Sequence, residues 1–63
     1  MRPTPQVGWY LRVLREHGHW VWRLVDQRDQ LVAQGPPRSS RQLAEEDAAA
    51  LFPDVPVQEA LFA

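Results

Sequence analysis

The chain has 63 residues, no cysteine, a mean hydropathy of −0.44 and a formal net charge of −1. That length makes one domain, and such a domain buries only about 60% of the surface its unfolded chain exposes, so its core needs help. Disulfides and thiolate metal sites are excluded, and His17 and His19 are too few for a structural zinc site, which leaves oligomerisation as the remaining help.

Residues 1–7, beginning Met1-Arg2-Pro3-Thr4-Pro5-Gln6, read as a flexible tail. They lack the apolar run of a signal peptide, and no stretch of the chain is long enough to span a bilayer. The expectation is a cytoplasmic protein of bacterial type with no membrane partner. All seven basic residues are Arg, read first as the codon bias of a GC-rich genome. Charge is unevenly placed: residues 1–41 carry seven Arg against three acids, net +4, and residues 42–63 carry five acids and no base, net −5. Such asymmetry marks either a basic working face or a solvated acidic helix.

Trp9 to Glu16 reads as a strand, His17-Gly18 as a two-residue turn, and His19 to Val25 as a second strand. That turn pairs Glu16 with His19, Leu14 with Val21, Val13 with Trp22, Arg12 with Arg23 and Leu11 with Leu24. Side-chain alternation then makes two faces. One carries Trp9, Leu11, Val13, Trp20, Trp22 and Leu24; the other carries Tyr10, Arg12, Leu14, Val21, Arg23 and Val25. Asp26-Gln27-Arg28-Asp29 is a polar turn whose Asp side chains can bond their own backbone. Gln30 to Gln34 follows as a short third strand, with Leu31 and Ala33 expected on the tryptophan face and Val32 on the other.

Gly35-Pro36-Pro37 ends the sheet, since proline donates nothing to a ladder. Ser39 or Ser40 caps a helix over Arg41 to Phe52, and Ser39-x-x-Gln42 has the spacing of a capping box. Leu43, Ala44, Ala48, Leu51 and Phe52 make its apolar stripe, its acids are early enough to suit the helix dipole, and Pro53 stops it. The fold class is therefore α+β: a three-stranded antiparallel meander packed by one C-terminal helix, β-β-β-α, over residues 8–53. Residues 54–63 form a tail that is a short strand, a short helix or a docking peptide.

One helix covers one sheet face. The second face is still half apolar, through Tyr10, Leu14, Val21, Val25 and Val32, and a patch of that size on a small protein usually marks an interaction site. At its middle Arg12 opposes Arg23, which is unfavourable unless an anion sits beside them.

The run Gly18-His19-Trp20-Val21-Trp22-Arg23-Leu24 resembles the Gly-x-aromatic-x-aromatic-Arg-Leu hairpin of YegP-like proteins. Leu31-Val32-Ala33 is similar to that family's next strand, Ser39-Ser40-Arg41 to its Ser-Ser-Lys helix start, and Pro53-Asp54-Val55-Pro56-Val57 to the Pro-Asp-Ala segment after it. The resemblance covers roughly Gly8 to Gln58. It implies a β-β-β-α unit that works in pairs, as a tandem repeat or a homodimer, and it carries no established activity and no catalytic residues. The family's usual Asn-Gly in the second turn is Arg28-Asp29 here, and the helix lacks the Lys-rich end.

No residue pattern points to catalysis or a cofactor. His17 and His19 read as turn residues, Trp20 and Trp22 as core, and Glu45, Glu46 and Asp47 as a solvated helix face. The reading is a non-enzymatic interaction module, homodimeric through the second face or the edge strands. Its contact residues would be Tyr10, Arg12, Leu14, Val21, Arg23, Val25 and Val32, with Arg12 and Arg23 meeting acids across the interface. Nucleic-acid binding is the alternative, with Arg12 and Arg23 on phosphate and Tyr10 as a stacking ring. A second alternative is a protein partner: Gln58-Glu59-Ala60-Leu61-Phe62 resembles the Gln-x-x-Leu-Phe peptide that docks on the bacterial sliding clamp, with Gln58, Leu61 and Phe62 as anchors.

Overall fold

The structure, a computed structural model, describes residues 4–58. The elements are β1 (Tyr10–Glu16), β2 (His19–Val25), β3 (Leu31–Gln34), α1 (Arg41–Leu51) and β4 (Val57–Gln58). The fold is α+β, as expected, but the sheet has four strands in the order β3-β2-β1-β4, not three. β4 runs parallel to β1, pairing Leu11 with Val57 and Arg12 with Gln58. Its two residues follow Pro56, which cannot donate to a ladder but can accept: the Leu11 N–H donates to the Pro56 carbonyl at 2.8 Å.

The hairpin register is the expected one at every position from Glu16–His19 to Leu11–Leu24. His17 and Gly18 both have positive φ, 53° and 80°, the pair of left-handed residues that a type I′ turn needs to match strand twist. The next turn is built on Asp26. Its Oδ1 accepts from the Arg28 N–H at 2.8 Å and the Gln30 N–H at 2.9 Å, while Asp29 takes φ 62°, a left-handed position that Asp tolerates in place of Gly.

A β-bulge corrects the expected faces of β3. Leu24 pairs with Ala33 but Val25 pairs with Leu31, so Val32 is the extra residue. One inserted residue swaps side chains between faces. Val32 packs against the core instead of the second face, and Leu31 is 57% exposed.

Gly35-Pro36-Pro37 does not end the pairing completely. Beyond the prolines, Arg38 exchanges two backbone hydrogen bonds with Trp20, at 2.8 and 2.7 Å. Gly35 itself lies against the Trp22 indole, where a Cβ would come within 2.0 Å of Nε1. Glycine is the residue that lets backbone and ring approach so closely. Trp20 stays half-buried on the helix side, whereas Trp22 is core.

Ser40, not Ser39, is the N-cap: its Oγ accepts from the Leu43 N–H at 3.3 Å. Gln42 is thereby outside a capping box and donates to Glu46, and the first helical turn holds no acid. The helix presents its fully buried Ala44 and Ala48 to the sheet, and their small size lets it sit close. Leu43 is half-buried and Leu51 39% exposed at the margins of the stripe. The core joins Leu11, Trp22, Leu24, Ala48, Phe52 and Val55, with Trp22 and Phe52 edge-to-face at 5.7 Å between centroids. Val55 thus belongs to the folded unit rather than to a tail.

Candidate interaction surface

The face turned away from α1 is the surface the alternation singles out. Register places Tyr10 beside Val25, Arg12 beside Arg23, and Leu14 beside Val21. Its valines are not open to a partner: Val21 is 4% exposed and Val25 5%. Two polar ties cross the same face.

Arg23 reaches back to Glu16, forming an ion pair, while its Nε donates to the Gln34 Oε1 at 3.0 Å. Glu16 pairs with His19, four residues before Arg23 on β2, so the ion pair spans the Leu14–Val21 level of the face. In the same way the Tyr10 hydroxyl donates to Asp29 Oδ1 in the β2–β3 turn, from a position opposite Val25. The Asp29 carboxylate, through this hydrogen bond first, raises the Tyr10 pKa above its ordinary 10.0. Arg23 thus meets its acid within the chain.

Arg12 does not. It is exposed, opposes Arg23, and makes no ion pair with another described residue; Arg15 and Arg28 share that condition. The remaining described Arg are engaged elsewhere, Arg38 with Asp47 at 3.4 Å and Arg41 with Glu45 at 2.9 Å on the helix side. Leu14 is half-buried between the Arg12 and Glu16 levels. The structure therefore brings together Tyr10, Arg12, Leu14, Val21, Arg23 and Val25, and takes Val32 away.

Sequence reasoning missed Glu16, Asp29 and Gln34, the three acceptors that close this face. Glu16 was legible in principle, because it shares the face by period-two alternation. Asp29 was not, since a turn residue reaches Tyr10 only once β3 is folded back.

Of the candidate docking peptide, Gln58 sits in β4 beside Arg12; Leu61 and Phe62 lie outside the described residues. His17 and His19 flank the hairpin tip, where His19 Nδ1 lies 3.2 Å from the His17 carbonyl. No group of three His, Asp or Glu among the described residues is arranged to hold a metal ion, and no helix among them is long and apolar enough to cross a membrane. An open groove of about 470 Å³ lies at the other end of β1, between Trp9 and Tyr10 on one side and Val55 and Pro56 on the other. Searches against family models, curated proteins and solved structures found no match to this chain.

Proposed function

We propose that the chain is a small non-enzymatic interaction module of YegP-like type that self-associates through its sheet, with β3 as the pairing edge. The observation that carries this is the state of that edge. Leu31 is 57% exposed on an outer strand of the sheet. The Gly35 N–H bonds to the Trp22 carbonyl, so by alternation the N–H and C=O of Gln34 turn away from β2. An exposed, unpaired strand with an apolar side chain is a template for another strand. Two-fold pairing of β3 with β3 closes on itself as a dimer and joins two four-stranded sheets into one of eight.

Association through the open face has less to gain, because Val21 and Val25 are already buried within the chain. Sheet pairing also supplies what so short a chain lacks, a larger continuous structure to share.

Light scattering tests the proposal. The wild type is expected at about twice 7.3 kDa, and Leu31→Lys at 7.3 kDa with its far-ultraviolet circular dichroism unchanged, since a charge on an edge strand opposes pairing without touching the core. A monomeric wild type, or a variant that stays dimeric, contradicts it.

A further inference from the structure

Three strand registers, taken together, line up one residue from each strand at a single level of the open face. Gln34 of β3 pairs with Arg23 of β2, Arg23 with Arg12 of β1, and Arg12 with Gln58 of β4. Two guanidiniums flanked by two amides therefore cross the whole sheet. Neighbouring strands lie about 4.8 Å apart, so the row spans about 14 Å.

The two central members are like charges directly opposite each other, an arrangement that costs stability. Only one is compensated. Arg23 has Glu16 and Gln34, whereas Arg12 has no acid among the described residues and its neighbour Gln58 is exposed. Among the described acids, Glu16 is tied to Arg23, Asp29 to Tyr10, Asp26 accepts from the Arg28 and Gln30 N–H groups of its own turn, Glu45, Glu46 and Asp47 ride on the helix behind the sheet, and Asp54 lines the groove at the other end of β1. Beside Arg12 on the same face stands Tyr10, half-buried and held by its hydroxyl, with its ring fixed in place before any ligand arrives.

We infer that this row is a binding site for the phosphate backbone of a single-stranded nucleic acid, with Arg12 as its principal cation, Arg23, Gln34 and Gln58 as hydrogen-bonding flanks, and Tyr10 as the ring on which an unpaired base stacks. The chemistry is the one such strands require: guanidinium forks for phosphate oxygens, and an aromatic surface that accepts any base. A single strand is favoured over a duplex because only unpaired bases can lie flat on Tyr10. The site does not depend on self-association, since none of its five side chains has to leave the open face when β3 pairs.

Fluorescence anisotropy of a labelled oligothymidylate of about 16 nucleotides tests it, at low and moderate salt. The wild type should bind at low salt and lose affinity steeply as salt rises. Arg12→Ala should weaken binding about tenfold and reduce the salt slope by about one, while Arg41→Ala, a cation of the helix side, should leave both unchanged. Thermal melting of Arg12→Ala should match or exceed the wild type, because a like-charge contact has gone, so lost binding cannot be ascribed to lost fold. No binding at low salt would overturn the inference. So would equal effects of the two substitutions, or tighter binding of a duplex of the same length.

Discussion

At the scale of single residues, the open face shows how long polar side chains can finish a core that short apolar ones begin. Val21 and Val25 are as buried as Trp22, yet they face away from the helix, on the face that the Arg23–Glu16 and Tyr10–Asp29 ties cross, each ending on one acid. The stems of such side chains exclude water while their heads stay in it. Tyr10 is the only tyrosine in the chain, so its ionisation can be followed directly by tyrosinate absorbance. Its folded pKa lies above the unfolded value of 10.0, so the tie contributes fully below pH 10.0 and is lost as pH rises through the raised folded pKa. Asp29→Gly, which suits the φ of 62° at that position, should return the midpoint toward 10.0. An unmoved midpoint would mean that Asp29 is not what holds the ring.

At the scale of elements, legibility followed how much pattern each one carries. The β1–β2 hairpin was readable to the residue because His17-Gly18 permits one tight turn and fourteen strand residues alternate around it. The bulge in β3 was not. It adds one residue to a run that is apolar at Leu31, Val32 and Ala33 alike, so nothing in composition says which of them faces the core. The helix start fell between two serines that sequence cannot separate, and geometry chose Ser40 because its Oγ reaches the Leu43 N–H. Ser40→Ala should therefore cost about 1 kcal/mol, lowering the melting temperature by about 4–8 °C, with Ser39→Ala near neutral. Equal losses for the two would show that the cap is shared.

At the scale of the whole molecule, the α+β class and the covered face were readable from the sequence, and the fourth strand was not. Val57–Gln58 is two residues long and follows Pro53 and Pro56, both of which signal breakage. Its place beside β1 depends on Val55 entering the core and on the Pro56 carbonyl meeting Leu11, contacts between segments far apart in the chain. The candidate interface was half legible. Alternation selected its face, but the expectation that its valines await a partner failed to count the Arg23–Glu16 and Tyr10–Asp29 ties. With that face closed, the proposed self-association falls to the sheet edge, where β3 offers Leu31 and the outward amide of Gln34. Amide hydrogen exchange at Gln34, followed over a range of protein concentrations, measures that edge directly. Pairing of β3 predicts slow exchange at high concentration that becomes fast on dilution and in Leu31→Lys. Fast exchange at every concentration, in a protein whose mass is dimeric, would place the contact elsewhere and contradict the account.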